Sequence, residues 1–459
     1  MKSIKSYRIF CLAVLVTLSV SCEDFFTQYP SNSITIDNNY QSEVDFNQGV
    51  IGCYNKLKSK VGFHVNELAY RTDECIMDVM ATSNQNRYEF DHFEENSSNG
   101  LMSDIWSNWY NGIFRCNDLL AHMEGKNFPK LPQYKGEALF IRSWLYFCLY
   151  RCFGVVPVTT TVVSPEEGRM IPRCTEEEML TRLETDLLLA AELLPLERGI
   201  EKARVTKIAA QALLGKVYLT FGKYVEAEEI LEYAMADHNY GLMPTTTDAF
   251  KIENKMNKEI IFALYYNKTN DNGHDFWWSS TSDARDRSNP TAEFRALYSS
   301  ADNRLPLIRD YIYSDPKYIM TKWWDTYDSV FIEQVSNDFP HIRYADVVLM
   351  YGEALAQQNR IEEALEYMNI TRTRAGLEPL TTARIPDRKA YIIELANERG
   401  REFALEGQRW FDLVRLGIAL EFFQGMGYKI TEKNMVFPIP NAEIEIVNNP
   451  KILWQNPGY

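Results

Sequence analysis

The sequence lacks the spacings that commonly hold a metal or a cofactor. Only 6 histidines occur among 459 residues, and they form neither H-E-x-x-H nor a close cluster, which argues against a zinc site. No G-x-S-x-G, Walker A or dinucleotide-binding pattern is present. The EF-hand spacing is missing too. We therefore predict neither a metal nor a cofactor, although the Asp-rich stretch 271–275 leaves a structural Ca²⁺ open.

Positive charge is scarce. Lys and Arg number 48 against 63 Asp and Glu, which gives a formal net charge of −15 at pH 7. Such an acidic surface repels phosphate, which argues against nucleic acid or anionic lipid as a partner. The overall charge mildly favours a neutral or basic ligand.

Cysteines are few, and none forms C-x-x-C. Of the 8 Cys, Cys11 and Cys22 belong to the N-terminal segment discussed next. Cys148 and Cys152 are one helical turn apart, a spacing at which the Cβ directions suit a disulfide poorly. We predict that most of the remaining six are buried thiols that pack as small apolar side chains. Oxidation of one pair in an exported protein stays open.

The N-terminus carries an apolar segment. Residues 1–21 combine a basic start, an apolar core over 12–16 and small residues at the end. This is the layout of a secretory signal, because the apolar core is too short and wrongly flanked for a spanning helix.

Cys22 directly follows this segment. A Cys in that position suggests a bacterial lipoprotein, in which the mature N-terminal Cys carries acyl chains that hold the protein on a membrane. Leu18 lies four residues before Cys22, where three is the usual spacing. The acidic pair Glu23-Asp24 is typical of Bacteroidetes lipoproteins on the outer face of the outer membrane. The alternative is a plain secretory signal with an incidental Cys.

Much of the chain has helical periodicity, with apolar residues at i, i+3 and i+4. Thr175 with Glu178 forms a capping box at the start of one segment, and Thr206 is a plausible N-cap of another. A short strand is predicted over 259–266. The predicted helices are 103–123, 134–153, 175–194, 206–221, 224–236, 342–358, 361–375 and 388–405.

Two helix pairs look like copies of one unit, because the pattern of 214–234 recurs in 351–371. In both copies a Gly in the first helix lets the second helix approach, as in tetratricopeptide repeats. Gly222 and Asn359 occupy equivalent turns, and both residue types favour the left-handed conformation. We therefore predict a helical-repeat scaffold.

Two long segments, 64–102 and 238–340, do not follow this pattern. They are rich in Asn, Asp, Ser, Gly and aromatic residues and have a poor helical period. Irregular regions this long within a folded body are more often functional than linkers.

The most distinctive string is NERGREFALEGQRWFDLVRLG, residues 397–417. Its spacing places several charges on one helix face and offers partners from the next turn. We interpret these charges as structural ion pairs, in preference to an acid/base catalytic set. They are Glu398, Arg401, Glu402, Glu406, Arg409, Asp412 and Arg415.

This string resembles the RagB/SusD family of Bacteroidetes nutrient-binding lipoproteins, and further matches follow in order along essentially the whole chain. They include CEDFF at 22–26, EALFIRSWLY at 137–146, NKEIIF at 257–262, RYADV at 343–347, RAGL at 374–377, FPIP at 437–440 and NPGY at 456–459.

The resemblance implies a mainly α fold, in which about four tetratricopeptide-like helix pairs back an irregular ligand-binding subdomain. It implies a SusC-like TonB-dependent transporter as partner, over which the protein sits as a lid, and no catalysis. The expected segments are a signal peptide at 1–21 and a body at 22–459. Within the body we expect scaffold mainly at 40–63, 103–237 and 341–420, ligand-face segments at 64–102 and 238–340, and 421–459 packing on the scaffold.

The ligand implied is an oligosaccharide or, in some members, a peptide. Sugar recognition needs exposed aromatic faces, flanked by planar amides or carboxylates that bind pairs of hydroxyls. The loop 270–278 supplies both, with Trp277, Trp278, Asn272 and Asp275, and Trp324 is a further aromatic candidate. Packing inside the loops is the alternative for these tryptophans.

An earlier loop adds polar candidates. The segment 71–74 resembles a family element near the ligand face, so Asp73 and Glu74 are predicted hydroxyl partners, together with Arg87 and Tyr88 downstream. Trp106 and Trp109 are spaced along a helix and are predicted core residues.

Three alternatives to a glycan-delivering lipoprotein stay open. In the first, the cargo is a peptide. In the second, the protein is a surface glycoside hydrolase, which needs two carboxylates facing across a cleft. The third is a tetratricopeptide adaptor that binds only proteins, and it predicts an apolar or charged concave groove in place of an exposed aromatic platform.

Overall fold

The computed structural model describes residues 40–60, 67–76, 85–237, 239–267, 289–310, 318–320, 322 and 336–459. The helices within them are α1 Glu43–Lys58, α2 Leu68–Tyr70, α3 Gln85–Asp91, α4 Gly100–Ala121, α5 Leu131–Phe153, α6 Pro165–Gly168, α7 Glu176–Leu193, α8 Lys207–Thr220, α9 Tyr224–Met235, α10 Thr246–Phe250, α11 Ala292–Arg295, α12 Tyr344–Gln357, α13 Ile361–Arg374, α14 Arg388–Glu402, α15 Arg409–Arg415, α16 Ala419–Gly425 and α17 Asn441–Val447. The strands are β1 Cys75–Ile76, β2 Ile260–Leu264, β3 Asn289–Pro290, β4 Ile308–Asp310, β5 Tyr318–Met320 and β6 Phe339–Arg343.

Helix pairs stack one on the next to form the scaffold. The pairs are α1 with α4, α5 with α7, α8 with α9, and α12 with α13, and contacts of α4 with α5, α7 with α8, and α9 with α12 join them in order. Helix α14 packs on α12 and α13 at one end of the stack. The predicted mainly α, tetratricopeptide-like architecture is confirmed.

Local signals in the sequence fix the ends of several helices. Thr175 and Glu178 form the predicted capping box, in which each side chain bonds the backbone N–H of the other. Thr206 stands at the N-cap of α8 but makes no side-chain capping bond. Gly222 and Asn359 adopt φ of 70° and 65°, as predicted for the two equivalent turns.

Gly215 lies where α8 and α9 approach each other most closely. A Cβ at this position would overlap the side chain of Leu231 on α9, which confirms the predicted role of a small residue here. Gly352, in the second copy, would meet the hydroxyl of Tyr391 and the Ala364 carbonyl in the same way. Both helix pairs therefore depend on the missing side chain.

We expect Gly215→Ala to lower the free energy of unfolding by about 1–2 kcal/mol, because overpacking costs about 1–3 kcal/mol and helix propensity returns up to about 1. Urea unfolding followed by circular dichroism measures this. Gly425→Ala in α16 is the matched control, since a Cβ there meets nothing within 4 Å. A Gly215→Ala protein as stable as the wild type would contradict the packing argument.

One predicted helix begins later than expected. Residues 342–343 belong to β6, and the helix starts at Tyr344. The strand forms because Ile342 pairs with Phe262 and Arg343 with Ile260 on β2, antiparallel. The side chain of Phe262 then packs edge-on against Phe140 of α5, with ring centroids 5.0 Å apart. The predicted strand at 259–266 is present, and the other predicted helices end within three residues of their observed ends.

The C-terminal segment contacts the end of α5. The backbone N–H of Phe437 donates to the carbonyl of Cys152 at 2.6 Å, and the Asn456 amide donates to the carbonyl of Phe153 at 3.0 Å. The Arg173 guanidinium donates to the Asn456 side-chain oxygen at 2.7 Å. The first two bonds satisfy carbonyls that the end of a helix leaves without an internal partner, and the third holds the Asn456 side chain in place.

The core contains the residues predicted for it. Trp106 and Trp109 are buried. Cys53, Cys75, Cys116, Cys148 and Cys152 are buried free thiols, and Cys174 is a half-buried one. Among the described residues, no helix is both long and apolar enough to cross a membrane.

Candidate functional site

The two irregular segments meet in a short antiparallel pairing. Cys75 of β1 pairs with Pro290 of β3, and Ile76 pairs with Asn289. The Thr291 hydroxyl also donates to the carbonyl of Asp73. Segments that are more than 200 residues apart in the chain are therefore joined directly at the predicted ligand face.

Asp73 and Glu74 lie inside the protein. Their predicted contacts with a ligand would require an exposed position. The two residues are 2% and 1% exposed. Both oxygens of Asp73 accept from Arg409 at 2.9 Å, and Glu74 accepts from the Leu405 backbone N–H at 2.7 Å. These carboxylates bond the early loop to string 397–417, which lies more than 330 positions away in the chain.

Burial raises the pKa of Glu74 to about 8, and the nearby Asp73 charge adds to the rise. In the unfolded chain the same carboxyl has an ordinary pKa near 4.5. Between these values the folded protein binds a proton that the unfolded chain has lost. Glu74 therefore lowers stability progressively as pH rises from about 4.5 to 8.

Glu74→Gln is expected to remove this contribution, because the amide oxygen still accepts from Leu405 and carries no charge. The variant should gain stability over the wild type as pH rises from 5 to 8.5. Thermal unfolding over that range measures the difference, with the exposed Glu94→Gln as control. A difference between Glu74→Gln and wild type that does not change with pH would rule out the buried titration.

A buried set of charges, which we call the ionic cluster, links the string 397–417 to residues of other segments. Arg343 donates to Glu402 at 2.9 Å and to Glu406 at 2.8 Å, and Arg304 donates to Glu398 at 2.8 Å. Each side chain is at most 8% exposed. The members are Glu259, Asp302, Arg304, Lys322, Arg343, Arg374, Glu398, Arg401, Glu402 and Glu406.

The ionic cluster confirms the structural interpretation of the distinctive string. The Arg401–Glu398 pair within the helix is present at 2.9 Å. Burial alone would raise the pKa of Glu402, but the guanidiniums of Arg374, Arg343 and Arg304 hold that pKa well below its usual range. The sequence did not reveal these three arginines as partners, since they lie in other segments. The local signal for ion pairing was the spacing of the charges within the string, with acidic residues at i and i+4 and Arg401 three positions after Glu398.

The ionic cluster also holds the later irregular segment. Lys322 is buried, and its ammonium donates to the carbonyl of Ala404 at 3.0 Å and to Glu406 at 2.5 Å. Trp324, a candidate binding residue, is two positions further along the chain. Lys322 itself is thereby held against the string 397–417, as Asp73 is held by Arg409.

Arg87 and Tyr88 on α3 are the predicted ligand contacts that are described and partly exposed. The guanidinium of Arg87 donates to Glu67 at 2.8 Å, and the Arg87 side chain is 34% exposed. The Tyr88 ring stacks on His92, with centroids 3.9 Å apart. Both side chains therefore present polar or aromatic surface beside the anchored loop.

The other predicted sites lie outside the described residues. These are the lipidation site Cys22 and the ligand candidates Asn272, Asp275, Trp277, Trp278 and Trp324. Among the residues that the structure does describe, no three His, Cys, Asp or Glu side chains group in a way that suits a metal ion.

Two family models match this chain. The model described as "SusD family" matches residues 308–459, and the model described as "Starch-binding associating with outer membrane" matches residues 31–219. The first range contains Lys322 and the second contains Asp73, both of which bond the string 397–417.

Full-length relatives agree with these models. SusD-like protein P2 of Formosa agariphila is 26% identical over 99% of this chain and 100% of its own length. A solved laminarin binding SusD-like protein is 25% identical, with a TM-score of 0.78 over 92% of this chain and 100% of that one.

Surface glycan-binding protein A from Bacteroides fluxus shares the fold at 21% identity, with a TM-score of 0.76 over 91% of this chain and 100% of that one. The ordered motifs, the stacked helix pairs, the two family models and these relatives agree. The chain belongs to the SusD/RagB family, a carbohydrate-binding family whose description associates it with the outer membrane.

Proposed function

We propose that this protein captures an oligosaccharide or polysaccharide at the cell surface and delivers it to a SusC-like TonB-dependent transporter. The observation that supports the proposal is the pairing of the two irregular segments at β1 and β3, with Asp73 and Lys322 both bonded to the string 397–417. The structures at 25% identity and below include one named as laminarin binding, which supports a glycan as the ligand class.

The proposed binding surface has two parts. Trp277, Trp278 and Trp324 supply aromatic faces that stack on sugar C–H surfaces, and Asn272 and Asp275 bind hydroxyl pairs. Arg87 and Tyr88 extend this surface from α3, since both are partly exposed. Asp73 and Glu74 contribute by positioning the loop through Arg409 and Leu405.

Delivery requires that the protein stays at the membrane. We propose that acyl chains on Cys22 anchor it to the outer membrane with the body facing the exterior. The role is binding without catalysis, so the bound glycan reaches the transporter intact.

Affinity electrophoresis of soluble residues 23–459 tests the proposal. We expect one or a few members of a polysaccharide panel that includes laminarin to retard the protein in native gels. A reducing-sugar assay on the same mixtures should show no release of new chain ends, which separates binding from hydrolysis. The absence of retardation by every polysaccharide, or steady release of ends, would contradict the proposed function.

A further inference from the structure

A concave surface lies on the scaffold of helix pairs. It is a groove of about 940 Å³ between the start of α9, the end of α12, the first half of α14 and α16. Its size falls in the range of about 300–1,000 Å³ that small-molecule sites occupy. The residues that matter here are Tyr224, Gln357, Asn359, Ile392, Asn397 and Phe422.

The groove and the ionic cluster use opposite faces of α14. Lys389, Ile392 and Ala396 recur at helical spacing and line the groove. Glu398 and Glu402, which belong to the ionic cluster, project about half a turn around the helix from them. The groove therefore lies on the side of α14 opposite Glu398 and Glu402.

Aromatic and apolar groups form the wall and floor of the groove. Phe422 is held in place by Phe423, edge-on with ring centroids 5.1 Å apart, and by the Arg409 guanidinium 5.2 Å from its ring. Tyr224 is partly exposed at the opposite side, and Ile392 lies in the floor. A rigid aromatic surface binds a flat apolar ligand face at little entropic cost.

Three side-chain amides border these rings, those of Gln357, Asn359 and Asn397. Within the described part of the chain, none of the three makes a hydrogen bond. Each amide offers donors and an acceptor side by side, which matches a pair of neighbouring sugar hydroxyls. Aromatic faces beside unpaired planar amides are the combination of groups that binds sugars.

We propose that this groove is a second saccharide-binding site, which contacts a polysaccharide independently of the aromatic platform at Trp277 and Trp278. The inference rests on the proposed function, because both sites take the same class of ligand. Two separate sites give a long polysaccharide two points of attachment, and this raises its apparent affinity without any new contact at either site.

The test uses soluble residues 23–459 and the polysaccharide that retards them most. The groove variant is Gln357→Ala/Asn397→Ala, in which both changes lie in helices that favour Ala. Gln48→Ala, an exposed amide of α1 outside the groove, is the matched control. The platform variant is Trp277→Ala/Trp278→Ala. Hydrogen exchange of 388–397 and 416–425 with a saturating oligosaccharide of the same linkage is the second readout.

We expect the groove variant to bind at least about threefold more weakly than wild type and Gln48→Ala. Protection of 388–397 should persist in the platform variant and disappear in the groove variant. Wild-type affinity of the groove variant, or no protection of 388–397, would overturn the second site while the platform stands. Protection by an unrelated peptide pool alone would assign the groove to protein binding instead. If no polysaccharide binds the wild type, both proposals fall.

Discussion

Replacing Arg343 by Ala is expected to lower the free energy of unfolding by about 3–5 kcal/mol or to prevent folding, because removing one partner leaves buried carboxylates uncompensated. Arg343 is buried and bonds Glu259, Glu402 and Glu406, as well as the carbonyl of Glu402 at 2.8 Å. Urea unfolding measures the loss. Arg343→Lys, which keeps the charge but loses the planar fork, should be intermediate.

Arg360→Ala is the matched control for this prediction. Arg360 also pairs with two carboxylates, Glu228 and Glu363, but its side chain is 38% exposed. Solvent-exposed pairs contribute about 0–1 kcal/mol, so the control should unfold close to the wild type. Equal stability of Arg343→Ala and Arg360→Ala would show that the ionic cluster does not hold the ligand face together.

The platform variant Trp277→Ala/Trp278→Ala is expected to lose at least about tenfold in polysaccharide affinity, since about 1.4 kcal/mol of lost contact is sufficient for that change. Central aromatic residues commonly contribute more than this to a binding surface. Affinity electrophoresis compares the variant with the wild type. Both tryptophans lie outside the helices predicted from the sequence, so the helical scaffold should keep its thermal stability.

Trp454→Ala controls for the general loss of an exposed ring. Trp454 is 40% exposed, and its ring contacts Arg173, which donates to the carbonyl of Phe153 at the end of α5. It should bind polysaccharide as the wild type does. If the platform variant also binds normally, the glycan site lies elsewhere and our assignment of Trp277 and Trp278 is wrong.

The features that the sequence predicted correctly depend on neighbours close in the chain. The capping box of Thr175 and Glu178 spans three positions, and the turns at Gly222 and Asn359 depend on one residue each. The close approach at Gly215 follows from a repeat pattern of the same short range. Such signals are complete within one or two helices, so periodicity and spacing reveal them.

The roles of Asp73, Glu74 and Arg343 were not predictable in this way. Arg409 lies 336 positions from Asp73, and Glu259 lies 84 positions from Arg343. A sequence shows that these side chains are charged but does not show which opposite charge burial brings to them. The helix predicted from the sequence began at Ile342 for the same reason. The strand partner of Ile342 and Arg343 on β2 is distant in the chain, so the sequence did not reveal it.

The groove at Asn397 was also missed from the sequence. Its residues come from four helices and from the turn at Asn359, and no local pattern links them. Only the folded arrangement of α9, α12, α14 and α16 brings rings and amides to one place. Concave sites built on a repeat scaffold are therefore found from the structure.

Titration calorimetry of soluble residues 23–459 with the polysaccharide selected by electrophoresis tests glycan capture at Trp277 and Trp278. We expect saturable binding by the wild type and by Trp454→Ala, and at least about tenfold weaker binding by Trp277→Ala/Trp278→Ala. Equal affinity of all three proteins would place the main glycan site away from Trp277 and Trp278. Binding of a peptide pool with no response to any polysaccharide would contradict glycan capture itself.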